Sequence, residues 1–107
     1  MASRDLIQRA GESLAKAAGA NSRVILFGSH ARGEDRPDSD VDLLVVEPEL
    51  GDRFAESVRL SRLVGELGVP ADVVVVSEAH ARRWGEVPGT MLHDALAEGR
   101  VLVSRAS

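Results

Sequence analysis

The sequence predicts an α/β chain, in the broad sense that includes α+β, built on a small mixed sheet of about four strands flanked by helices. Three observations carry that reading. Short runs of Val, Leu and Ile are bounded by Gly, Pro or Asp, as buried strands are. Longer segments between them place apolar residues at helical spacing. The two kinds of segment alternate along the chain, and strands apolar on both faces need helices to cover them.

Each element has its own local justification. Residues 3–19 read as a helix, because Ile7, Ala10, Leu14, Ala17 and Ala18 fall on one face and Gly19 sits where a helix stops. Arg23 to Phe27 is an apolar run ending at Gly28, so a buried strand is predicted, with a turn at Gly28-Ser29 and a short helical segment to about Gly33. Gly33 to Ser39 is polar, contains Pro37 and reads as a loop. Asp40 to Val46 is the second strand, with Pro48 and Gly51 after it. Asp52 is placed to cap a helix that runs to about Leu67, with Leu60, Leu63, Val64 and Leu67 on one face and Gly68 and Pro70 ending it. Ala71 to Val76 is the third strand. Residues 78–84 form a short helix. Thr90 caps a last helix that Gly99 stops, and Val101 to Val103 is a small edge strand.

Composition narrows the class. A chain of 107 residues fits one domain, 1–107. With 44% hydrophobic and 28% charged residues it is a soluble globular composition rather than a disordered one. Phe27, Phe54 and Trp84 are the only aromatics, so the core is aliphatic. A net charge of −4 argues against bulk attraction to DNA or RNA, and no direct nucleic-acid contact is expected. Twelve of the thirteen basic residues are Arg, which suits phosphate binding and equally reflects codon usage. The absence of Cys excludes disulfides and thiolate chemistry. The first ten residues lack a signal-peptide core, and no apolar run is long enough for a membrane, so a cytoplasmic location is expected.

The chemistry concentrates in three Asp residues and a glycine turn. Side chains in a strand alternate, so Asp40 and Asp42 point the same way. Two close carboxylates repel unless a cation lies between them. Mg2+ suits such a place, because it takes oxygen ligands and shares them with substrate phosphates. Asp72 opens the third strand. If that strand is a neighbour of the second, three carboxylates converge at one end of the sheet and could seat two ions about 4 Å apart. The bland alternative is that these residues cap loops, and Asp72 after Pro70 could be turn chemistry. Against that, Asp is depleted in strands. Gly28-Ser29 follows the first strand directly, where a Cβ-less residue and a hydroxyl could approach a phosphate. A P-loop is excluded: Gly28 and Gly33 have its spacing, but Glu34-Asp35 stand where Lys and Ser or Thr are required.

Gly28-Ser29-His30-Ala31-Arg32-Gly33, followed by Ser39-Asp40-Val41-Asp42-Leu43, resembles the Gly-Ser, ten residues, Asp-x-Asp signature of the polymerase-β-like nucleotidyltransferases, and the chain's small size resembles their minimal (MNT) branch. The resemblance implies that Asp40, Asp42 and Asp72 are catalytic and bind Mg2+, two ions in all. It implies that Gly28, Ser29, Arg32 and Ser39 bind the nucleotide, ATP. Arg32 could contact phosphate or only brace the loop, and His30 falls at a variable position. Proteins of this branch resemble antitoxins that move AMP from ATP to a Tyr hydroxyl of a HEPN-type toxin. The missing acceptor-binding domain fits an acceptor supplied by another protein. Two alternatives stay open: an antitoxin that blocks its toxin by occlusion without chemistry, and a small-molecule nucleotidyltransferase similar to aminoglycoside-modifying enzymes.

The remaining polar residues suggest less. His80 and His93 lack zinc-like spacing. Arg82-Arg83-Trp84 could be an interface anchor, or Trp84 could cover the sheet edge beside solvated Arg residues.

Overall fold

A computed structural model describes residues 4–33 and 40–104. Its described elements run α1 (Arg4–Ala18), β1 (Arg23–Phe27), α2 (Ser29–Arg32), β2 (Val41–Glu47), α3 (Arg53–Glu66), β3 (Ala71–Ser77), α4 (Glu78–Trp84), α5 (Met91–Glu98) and β4 (Arg100–Ser104). The sheet order is β3-β2-β1-β4. β2 pairs antiparallel with β1 and parallel with β3, and β4 adds antiparallel to the free side of β1, with a bulge between Val24 and Ile25. The sheet is therefore mixed and four-stranded, as the sequence predicts.

Alternation sorts the strand residues onto two cores. Val24, Leu26, Val41, Leu43, Val45, Val73 and Val75 face α1 and α3, where they meet Ile7, Leu14, Leu60 and Val64. Ile25, Leu44, Val46 and Val76 face the other way and meet Ala81, Leu92 and Ala95 of α4 and α5. Burial of Leu43 to Glu47 on β2 follows from this double covering, and it explains why Leu43 to Val46 reads as an unbroken apolar run.

The helix termini obey the sequence. Asp52, Ser77 and Thr90 are N-caps whose side chains accept from Ala55 N, His80 N and His93 N. Gly19 ends α1 at φ 97°, and its N–H donates to Ala15 O. Strand boundaries shift by one residue, and β3, predicted to end at Val76, runs to Ser77. The predicted strand from Asp40 to Val46 is observed one residue later, because the β2–β3 ladder starts at Val41, paired with Ala71, and ends at Glu47, paired with Ser77. The edge strand also extends one residue at each end. Residues 34–39 of the predicted polar loop, Ser39 among them, lie outside the described residues.

This topology places the site. β1 runs toward one end of the sheet, the chain turns at Gly28, and β2 starts from that same end. β3 lies parallel to β2, so it starts there too. The end of β1 and the starts of β2 and β3 thus meet along one margin.

Candidate active site

Three residues form a row across that margin. Asp42 is the register partner of Phe27 on β1 and of Asp72 on β3. Register partners on adjacent strands point to the same face, and the parity of Leu44 and Val46 puts Asp42 on the α4–α5 side. Asp42 is half-buried and Asp72 exposed. Asp40, also exposed, immediately precedes β2. The structure therefore brings Asp42 and Asp72 side by side and sets Asp40 two positions upstream of Asp42.

Gly28 completes the row. Its φ is 75°, which an L-residue adopts at a cost, and a Cβ there would overlap the Asp42 carboxylate. The turn thus has glycine for two reasons, backbone hand and the closeness of Asp42. The chain then enters the single turn of α2, with Arg32 N donating to Gly28 O at 3.2 Å. The side chains of Ser29 and His30 lie outside the described residues. Gly28→Ala is expected to lower stability by about 1–3 kcal/mol, from left-handed strain plus the overlap. Because it displaces Asp42, nucleotidyl transfer should also fall by roughly 10²-fold. Thermal unfolding and a transfer assay on the same preparation check both halves.

The donor set fits a metal shared with a substrate better than a metal held by protein alone. Among the described residues no group of three or more His, Cys, Asp and Glu side chains could hold an ion unaided. Two carboxylates side by side at a strand margin suit Mg2+, which commonly takes one or two carboxylates and completes its shell with waters and substrate phosphates.

A cleft of about 200 Å³ opens beside Gly28, lined by Phe27, Gly28, Arg32, Met91, Asp94, Ala95 and Glu98. Arg32 Nη1 lies 3.9 Å from Glu98 Oε2, joining α2 to α5. Positions 91, 94, 95 and 98 form an i, i+3, i+4, i+7 stripe, so one face of α5 makes the wall. Sequence reasoning singled out Arg32 but missed Phe27, Asp94 and Glu98. The available signal was that stripe, with two carboxylates beside Met91 and Ala95.

The remaining candidates take structural places. His93 Nδ1 lies 2.8 Å from Gly85 O, tying α5 to the end of α4. His80 and Arg83 flank Trp84, with the Arg83 guanidinium 5.6 Å from the ring centroid. No helix among the described residues is long and apolar enough to cross a membrane.

Comparison with known proteins gives the same architecture a family. Residues 7–102 match the model of the nucleotidyltransferase domain. A Methanocaldococcus jannaschii protein, whose assigned name proposes a protein adenylyltransferase, is 34% identical over 86 residues, covering 78% of this chain and 80% of that protein. A solved structure described provisionally as a minimal nucleotidyltransferase is 35% identical, with a TM-score of 0.55 over 90% of this chain and 89% of the other. A chain from a Shewanella oneidensis complex, a tri-AMPylated HEPN toxin with its MNT antitoxin, shares the fold at a TM-score of 0.56. It is 16% identical, and the match covers 95% of this chain and 73% of that one.

Proposed function

This chain belongs to the nucleotidyltransferase-domain family and is a nucleotidyltransferase, and from that premise we propose that it transfers AMP from ATP to a Tyr hydroxyl of a HEPN-type toxin, acting as the antitoxin. The observation that carries the reading is the row of Gly28, Asp42 and Asp72 at one sheet margin. The adenylyltransferase name of the M. jannaschii relative and the AMPylated toxin in the S. oneidensis complex support the acceptor class. These 107 residues contain no Tyr, so a Tyr acceptor lies outside them.

In this reading Asp40, Asp42 and Asp72 would hold Mg2+, two ions when both are bound. Metal there supplies charge neutralisation on the α-phosphate and the departing pyrophosphate. Gly28, Ser29, Arg32 and Ser39 bind the nucleotide, with Gly28 keeping the turn free of a Cβ. The acceptor oxygen attacks the α-phosphorus and forms a new O–P bond. The bond from that phosphorus to the β-phosphate oxygen breaks, and pyrophosphate leaves. The hydroxyl proton passes to the Asp72 carboxylate, the more exposed of the paired acids and so the one open to an incoming acceptor.

The test incubates the chain with α-labelled ATP, Mg2+ and its co-encoded partner protein. Label should appear on the partner at Tyr, with one pyrophosphate released per label. A partner that stays unlabelled while its toxicity is still neutralised would overturn the catalytic reading in favour of occlusion.

A further inference from the structure

Resting on the nucleotide-transfer reading, we propose that Asp94 selects the base, favouring one with an exocyclic amine on its reading edge, adenine over hypoxanthine. The cleft beside Gly28 has the chemistry of a base pocket. Phe27 contributes an aromatic surface, and Met91 and Ala95 contribute a thioether and a methyl, which together suit a flat heteroaromatic ring. The cleft is continuous with the Gly28 turn, so a base seated in it leaves its phosphates at the Asp42–Asp72 row.

Two carboxylates border this apolar floor, and they are not equivalent. Glu98 is engaged by Arg32 across the cleft. Asp94, one turn earlier on the same face, spends its backbone N–H on Thr90 O. Its carboxylate has no hydrogen-bond or ion-pair partner among the described residues. An ionised carboxylate accepts hydrogen bonds and offers none. Placed at the edge formed by the 6-substituent and N7, it therefore attracts the adenine amine and repels the carbonyl that hypoxanthine carries there, an edge on which hypoxanthine, whose N1–H lies on the other side, has no donor. The two bases are otherwise nearly isosteric, so packing against Phe27 and Met91 cannot tell them apart.

A hydrogen bond to a charged group corresponds to about 10- to 100-fold in affinity. Competition titrations with Mg2+ should therefore show ATP binding more tightly than ITP by about that ratio, with Mg2+-tripolyphosphate as the base-free control. Asp94→Asn removes the charge and presents either an acceptor or a donor, so the ATP:ITP ratio should shrink to within about threefold, with tripolyphosphate binding unchanged. Met91→Ala should weaken ATP and ITP alike and keep their ratio. Asp94 is exposed on a helix surface, and an unchanged melting curve confirms that Asp94→Asn folds. An Asp94→Asn protein with the wild-type ATP:ITP ratio overturns the assignment while leaving nucleotide transfer intact. A wild-type chain that binds tripolyphosphate and neither nucleotide also overturns it. A wild-type chain that binds none of the three overturns the nucleotide reading itself.

Discussion

Transfer of AMP is expected to fall by about three orders of magnitude or more in Asp40→Asn/Asp42→Asn, with the chain still folded. Removing one preorganised group that meets developing charge costs roughly 10²–10³ in turnover, and the two carboxylates are proposed to act on the same phosphate as a unit. Asn keeps the shape and loses the charge, so the row Phe27–Asp42–Asp72 stays in register while its capacity for a divalent ion goes. Transfer at wild-type rates in the double variant would remove Asp40 and Asp42 from the site. If the variant neutralised the proposed toxin partner as well as wild type does, occlusion rather than modification would be the means of neutralisation.

Asp72→Asn separates chemistry from stability in the same row. Like charges directly opposite on neighbouring strands destabilise a sheet by a few tenths to about 1 kcal/mol. Asp72 is exposed and Asp42 is its register partner. The metal-free variant should therefore melt at the same temperature or slightly higher, while transfer drops. Opposite signs in the two measurements are what a site that keeps repelling charges for function should give. Activity and melting temperature falling together would mean that Asp72 serves the fold.

How much of this was legible in the sequence depends on the distance over which each feature is decided. Asp40, Asp42 and Gly28 could be read because strand alternation and turn chemistry are local. Asp72 could be read only conditionally. Its place beside Asp42 needs β3 to pair parallel with β2 after the crossover through α3, a tertiary choice that no residue near Asp72 encodes. The wall of the cleft was hidden for the same reason. Asp94 and Glu98 on a short helix resemble a solvated face, and they face Gly28 only because α5 lies across β1. Glycine at position 99 permits that approach, since a Cβ there would overlap the Ala95 carbonyl and Ile25 and crowd the Leu26 carbonyl. Glu47 is hidden because the apolar run that marks the strand ends at Val46. The extra ladder pair with Ser77 carries it inward, beneath α3.

Glu47 leads to the other large effect. It is 7% exposed, and its Oε2 is buried without a hydrogen-bond partner among the described residues. Glu56 and Arg59 of α3 are the charged groups that act on it. Burial raises the Glu47 carboxyl most, the adjacent Glu56 raises it further, Arg59 opposes them, and the outcome is a value of about 7. Glu56 shifts the other way, held ionised chiefly by Arg59, whose Nε and Nη2 each lie 2.8 Å from a Glu56 oxygen. The same Arg59 Nη2 also donates to Ala17 O at 3.0 Å and links this group to the end of α1. A protonated Glu47 can thus donate to an ionised Glu56, and an ionised Glu47 cannot.

The sign of the pH dependence follows from the direction of the shift. The folded-state value of Glu47 lies above its unfolded value of 4.5. Its contribution is complete below pH 4.5 and is lost as pH rises through about 7, where the folded state must ionise a buried group. Glu56 acts oppositely, but its loss comes only as pH falls through its lowered value, outside this window. Between pH 5 and 8 the Glu47 penalty should accumulate to about 2–3 kcal/mol. Glu47→Gln keeps a donor toward Glu56 and does not titrate. Its stability should stay near wild type at pH 5 and exceed wild type by about 2 kcal/mol at pH 8, several degrees in melting temperature for a chain of this size. Melting curves at half-unit pH steps check this, and parallel wild-type and variant profiles across the window would show that Glu47 is ionised in the folded chain at neutral pH. Glu47 sits at the far end of β2 from Asp42. Transfer per folded molecule should therefore be unchanged in Glu47→Gln, because what titrates there is the seam between β2 and α3, not the row proposed to meet the nucleotide.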